Sequence, residues 1–183
     1  MRWSQREILL NRSQDINFTL NVPADYDHKE KGDPIMSKKF LIAADSSIHS
    51  KNAIKYACNI SASVKEMNFT LFHVQPMISQ YLVDEAKKDL AAEAELKKII
   101  NKNTEAGKNL LQKYKEQMIR LGVAEQSIDS VTLPRTLGLA KDILKYSSSN
   151  NCDAIIIGRR GLSGIQEVIM GSVSANVVEH SKS

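Results

Sequence analysis

Cysteine is scarce in this chain of 183 residues, and the two that occur, Cys58 and Cys152, stand far apart. They form no CxxC pair and no Cys/His ligand spacing, which excludes a disulfide-stapled scaffold and a cysteine-based metal centre. They read as reduced core thiols. No run approaches the ~20 apolar residues that span a bilayer. The opening Met1-Arg2-Trp3-Ser4-Gln5-Arg6 never becomes the apolar stretch of an export signal, so the reading is cytoplasmic. Charge of one sign is also limited: the formal net charge is only +4. The basic excess lies along residues 97–120, interleaved with Glu and Gln, and around Arg159-Arg160. A solvated helix face explains the first cluster better than nucleic acid does, and no nucleic-acid or membrane partner is expected. Several catalytic signatures are missing as well. There is no Gly-x4-Gly-Lys-Ser/Thr phosphate loop, and Gly158-x2-Gly161-x2-Gly164 is not a GxGxxG fingerprint. No paired carboxylates, Ser-His-Asp order or poised lysine nucleophile can be read, which argues against a true catalyst.

What the chain does have, from Lys38 onward, is regular alternation of strand and helix patterns. Phe40–Ala44 is a short apolar run of the kind a buried parallel strand needs. Residues 48–64 follow with an apolar stripe at helical spacing, and Ser46 or Ser47 serves as the N-cap. The second strand is Phe69–Val74, stopped by Pro76. Residues 80–121 read as helical throughout, with Gly107 as the expected weak point of a very long helix. Ile128–Leu133 is strand three, residues 137–148 the next helix, Ala154–Ile157 strand four, and a helix from Val173 to His180 comes last. Such alternation predicts an α/β fold: a Rossmann-like parallel sheet with right-handed crossovers and helices on both faces. Ligands in such sheets bind at the carboxyl ends of the strands, where strand order reverses.

The densest functional signal follows the fourth strand. The spacing Gly158-x2-Gly161-x9-Gly171-Ser172 directly succeeds Ala154-Ile155-Ile156-Ile157. Glycine lets backbone N–H groups approach a phosphate without a Cβ in the way. Gly171-Ser172-Val173-Ser174 opens the last helix, placing free N–H groups and the positive helix end beside an anion. The bland alternative is a crowded strand-to-helix crossing that demands glycine with no ligand. Serine directly after the third glycine favours the nucleotide reading. For Asp45 the alternatives are helix capping and ligand contact, and one carboxylate can do both. His73, inside a strand and without a metal partner, reads as a hydrogen-bonded core residue.

These residues together resemble the universal stress protein family, in its ATP-binding subset. The glycine signature matches, as do Lys39-Phe40-Leu41-Ile42-Ala43-Ala44-Asp45-Ser46-Ser47 and Leu71-Phe72-His73-Val74, over a span from about Met36 to the C-terminus. The resemblance implies strand order 3-2-1-4-5 with ATP, ADP or AMP in the crevice and any Mg2+ held by the phosphates. It implies that Ala44 and Asp45 line the adenosine pocket and that Val74 offers backbone groups to the adenine edge. Gly158 and Gly161 would border ribose and phosphates, with Gly171, Ser172, Val173 and Ser174 cradling the phosphates. Ser46 stands where many relatives have glycine. The implied role is a regulatory module of the stress response that switches oligomeric state or partner, as a homodimer or beside a second similar domain. A nucleotide-free dimerisation or scaffold domain, or a slow ATPase, is the alternative.

Two departures from the family pattern carry further expectations. After the last helix the chain reads Glu179-His180-Ser181-Lys182-Ser183, so the fifth strand is missing and the domain of residues 36–183 ends before it. The edge of strand four is then expected to lie bare and to promote association, as in the first half of a tandem protein or a dimer. Within residues 1–35, the stretch 21–34 is polar and carries two prolines, and Ile8-Leu9-Leu10 and Ile16–Leu20 could form short strands but have no evident cover. Residues 1–35 together read as a poorly structured leader that does not pair. Lys31-Gly32-Asp33 can be encoded so as to contain a bacterial ribosome-binding word shortly before Met36. The expectation is a native start at Met36, with residues 1–35 contributing nothing to ATP binding.

Overall fold

The computed structural model describes residues 16–20, 37–62, 66–159 and 171–181. Its strands are β1 (Ile16–Leu20), β2 (Lys38–Ala43), β3 (Met67–Val74), β4 (Ile128–Leu133) and β5 (Ala154–Gly158). Its α-helices are α1 (Ile48–Ser61), α2 (Gln80–Ala86), α3 (Leu90–Arg120), α4 (Leu139–Ser149) and α5 (Ser172–His180). They form one five-stranded sheet of order β1-β5-β2-β3-β4. Strands β2, β3, β4 and β5 are mutually parallel, so the four strands read from sequence stand in the expected order 3-2-1-4.

Two helical layers cover the sheet because the strands are apolar on both faces. Phe40, Ile42, Phe69, Leu71, Ala154 and Ile156 pack under Ala53, Ile54, Ala57 and Cys58 of α1 and Leu111, Tyr114 and Met118 of α3. Leu41, Ala43, Phe72, Ile155 and Ile157 meet Ile143 of α4 and Val177 of α5 on the other side. The alternation of odd and even residues between layers is the period of two that a strand imposes. Both thiols lie free, and burial pushes that of Cys58 up to about 11.

The expected single helix over 80–121 is instead two. Lys87-Lys88-Asp89 interrupts it, and Asp89 caps α3 by accepting from the N–H groups of Ala91 and Ala92. An Asp at an N-cap satisfies donors that a continuous helix would not leave open, so the break falls there and not at Gly107. Gly107 is buried inside α3. A Cβ there would lie 2.7 Å from Thr132 Cγ2 and 2.8 Å from His73 Cδ2, so its role is close approach of helix to sheet. The buried residues of α3 are Gly107, Leu111, Tyr114 and Met118, all in its second half. Leu90, 82% exposed, and Tyr81, 71% exposed, lie beyond the sheet's cover.

The expectation of a bare edge on the fourth strand is also corrected. Ile16–Leu20 runs antiparallel along β5, with Ile16 opposite Gly158 and Leu20 opposite Ala154. The physical reason is that β5 is buried over all five residues, and its outer N–H and C=O groups need partners. A segment from the N-terminal side supplies them, in the place where the family resemblance expects a C-terminal strand. Met36 and the remainder of residues 1–35 lie outside the described residues.

Removing residues 1–20 should therefore strip β1 and leave the edge of β5 unpaired. Light scattering should find the shortened chain associating further than the intact one at the same concentration; equal dispersity would contradict the edge-capping role. At the other end of β5, a Cβ on Gly158 would sit 2.7 Å from the backbone carbonyl carbon of His49. Gly158→Ala should therefore cost about 1–3 kcal/mol of stability without any ligand, because the first turn of α1 must retreat. Chemical denaturation measures this, and an unchanged midpoint would refute it.

Candidate functional site

The register brings three strand ends to one level. Ala43 lies opposite Phe72 of β3 and opposite Ile157 of β5. One residue further, Ala44 N–H still pairs with Phe72 O, and Asp45 N–H turns away to Ser50 Oγ. The chain moves outward from β2 through β3 to β4 and then returns to the far side of β2 as β5. The crevice between the ends of β2 and β5 is thus the point of reversal where parallel sheets open for ligands. Its walls are the loop from Ala44 to Ser47 and the start of α5 at Gly171.

Asp45 is held from four directions. Its N–H donates to Ser50 Oγ at 2.9 Å, and the same hydroxyl donates to Asp45 Oδ1 at 2.6 Å. Ser47 N–H adds a 3.0 Å bond to Oδ1, and Ser47 Oγ caps α1 by accepting from Ser50 N–H. From α3, the Tyr114 hydroxyl donates to the Asp45 backbone carbonyl at 2.8 Å. Both side-chain bonds fall on Oδ1, and Oδ2 accepts none among the described residues. One carboxylate oxygen is spent on local structure and the other is available. Burial, reinforced by the Asp45 charge, pushes the Tyr114 hydroxyl up to about 12, so it remains a donor at neutral pH.

The neighbouring carbonyl is held too. His73 Nδ1 lies 2.9 Å from Ala44 O, and since a carbonyl only accepts, the proton sits on Nδ1. His73 is thus the hydrogen-bonded interior residue expected of it. Ala44 itself is buried against α1 and α3, and Val74 is half-buried against the opposite layer. Further along the same edge, Gln75 donates to Leu133 O through its N–H and to Thr104 Oγ1 through its amide, at 2.8 and 3.1 Å. Asp142 of α4 gathers the loop after β4 by accepting from Thr136 N–H, Thr136 Oγ1 and Leu137 N–H. Burial drives its carboxyl upward, but these bonds outweigh it and hold the pKa below the ordinary value.

The α5 wall is stitched to the end of β5. Ser174 Oγ donates to Gly158 O at 2.7 Å, with Arg159 O at 3.2 Å as its second acceptor. Gly171 N–H donates to Arg159 O at 2.9 Å. Ser174 is 2% exposed, so its hydroxyl proton serves the backbone, and what it can offer an anion is its N–H. Ser172 is exposed, while Val173 turns its side chain into the core with α4. The N–H groups of Ser172, Val173 and Ser174 are those a helix leaves without an intrahelical acceptor, and they lie at its positive end. Of the expected site residues, Ala44, Asp45, Val74, Gly158, Gly171, Ser172, Val173 and Ser174 stand around this edge. Gly161 lies outside the described residues.

Sequence reading missed Ser50 and Tyr114. Ser50 had a usable signal, since Ser47 and Ser50 at the mouth of a helix are spaced for capping. Tyr114 had none beyond its place in an apolar stripe. His49 Nδ1 is buried without a partner among the described residues. Among those residues no three His, Cys, Asp or Glu converge as metal ligands, and no helix is long and apolar enough to cross a membrane.

Comparison with known proteins agrees with this fold. The universal stress protein MJ0577 of Methanocaldococcus jannaschii is 27% identical over 154 residues, covering 80% of this chain and 91% of its own. Its solved structure superposes with a TM-score of 0.61 at 28% identity, over 81% of this chain and 92% of that one. A universal stress protein solved in complex with cAMP shares the fold with a TM-score of 0.51 at 18% identity, over 80% and 91% of the two chains. One from Arabidopsis thaliana, solved with AMP bound, does so at 0.50 and 18%, over 79% and 86%. The model of the universal stress protein family matches residues 36–183, and this chain belongs to that family.

Proposed function

We propose that this protein is an adenine-nucleotide-binding regulatory module of the stress response, with ATP, ADP or AMP in the crevice between β2 and β5. The observation that carries the reading is the pairing of two unsatisfied groups of opposite character at one strand reversal. Asp45 keeps Oδ2 without a partner among the described residues, at the end of β2. The open end of α5 is tied to the neighbouring end of β5 through Gly171 and Ser174. A carboxylate oxygen suits a ribose hydroxyl or an adenine amino group, and helix N–H groups suit phosphate. A nucleotide has both ends. Two solved family members were crystallised with cAMP and with AMP, which both carry adenine on ribose.

In this reading Asp45 orients the adenosine end, with Ala44 and Val74 forming the floor beneath it. Gly171, Ser172, Val173 and Ser174 receive the phosphates through main-chain N–H groups, beside Gly158 and Gly161. Any Mg2+ is held by the phosphates. The chain acts by binding: nucleotide occupancy shifts its oligomeric state, as a homodimer or against a second similar domain.

Calorimetric titration of ATP with Mg2+ tests this. The intact protein should bind, and Gly171→Val should abolish binding with the far-UV dichroism unchanged, because a branched side chain enters the space the phosphates need. Asp45→Ala should weaken binding by about 1–3 kcal/mol, the loss of a charge-assisted hydrogen bond. Equal affinity of Gly171→Val and the parent would remove the phosphate site from α5.

A further inference from the structure

We infer that Tyr114, with Ser50, is a positioning residue for nucleotide recognition: its hydroxyl fixes the Asp45 turn so that Oδ2 faces the ligand. The inference rests on the proposed adenine-nucleotide site and adds to it a residue from a helix distant in sequence. Tyr114 lies 69 residues from Asp45, is 4% exposed, and has its ring among Leu111, Met118 and the β2–β3 face. Its Oη–H···O bond to the Asp45 carbonyl, at 2.8 Å, is the side-chain bond that ties α3 to the crevice loop. A tyrosine buried to this degree with a single polar atom is placed for that atom, since phenylalanine would fill the same apolar space.

The geometry explains why one backbone bond matters for a side chain. Asp45 lies between the strand ladder and α1, in a turn whose shape decides where its carboxylate points. Ala44 N–H still pairs with Phe72 O, while Asp45 N–H has already left the sheet for Ser50 Oγ. The two consecutive carbonyls of this turn are taken by His73 and Tyr114, from β3 and α3. The Ser50 hydroxyl then closes a ring by accepting from Asp45 N–H and donating to Oδ1. With N–H, C=O and Oδ1 all engaged, only Oδ2 is left, and its direction is fixed by the other three. Preorganisation of this kind lowers the ordering cost of binding. Without the Tyr114 bond the Asp45–Ser46 peptide plane loses its anchor on α3, and the turn that carries the carboxylate is held by Ser47 and Ser50 alone.

The experiment compares Tyr114→Phe, Ser50→Ala and Asp45→Asn in the full chain, with ATP and AMP each titrated calorimetrically. Tyr114→Phe should weaken both nucleotides alike, by roughly tenfold, because it acts at the adenosine end that they share. Gly171→Val, acting at the phosphate end, should penalise ATP more than AMP. In the Asp45→Asn background, Tyr114→Phe should add little, since the group it positions is already compromised. A general loosening of the fold would instead add its full effect there. Ser50→Ala tests the same ring from α1 and should reproduce the pattern without touching the α3 packing. Unchanged affinity in Tyr114→Phe with weakened binding in Asp45→Asn overturns the positioning role alone. Unchanged affinity in Asp45→Asn and Gly171→Val together overturns the nucleotide site beneath it.

Discussion

The parallel pairing of β2 with β5, from Phe40 opposite Ala154 to Ala43 opposite Ile157, is the constraint on which the candidate site depends. It brings together segments more than a hundred residues apart and sets their carboxyl ends level. The loop that carries Asp45 thus begins one strand away from the end of β5, to which the start of α5 is tied through Gly171 and Ser174. Both strands can occupy the middle of the sheet because their side chains are apolar on both faces, and both layers of helices are needed to cover them. Tight contact at the reversal explains the glycine at 158 without any ligand, since the first turn of α1 occupies the space a side chain would take. Structural and functional demands coincide on the same few residues.

Much of this was legible in the sequence. Short apolar runs alternating with helical stripes suffice for four parallel strands, because a strand buried on both faces must be continuously apolar. Ile128–Leu133 was read to the residue, and β5 differs only by including Gly158. The placement of Asp45 after an apolar strand and of the segment from Gly171 to Ser174 at the start of a helix was legible as well. Charge or glycine at the end of an apolar strand is costly unless it does something there.

The rest was hidden for identifiable reasons. The break at Asp89 was obscured by the helical spacing on either side of it, which says nothing about whether the intervening turn is helical. Ile16–Leu20 could be read as a short strand but not placed, because five ordinary residues carry no record of their partner; the need for it lies in β5. Tyr114 falls in the apolar spacing of α3, and its ring does belong to the core. That its hydroxyl ends at the Asp45 carbonyl depends on how far α3 slides along the sheet, which Gly107 permits by letting the helix sit close to His73 and Thr132. Tertiary register of this kind is written across both elements and in neither alone.

The most direct test of the account is amide hydrogen exchange of the full chain with and without ATP. The account predicts slower exchange at residues 46–50 and 172–174 on addition of nucleotide. Residues 90–103, which stand clear of the crevice, should be unaffected. Protection confined to other elements, or no change at a saturating nucleotide concentration, would contradict it.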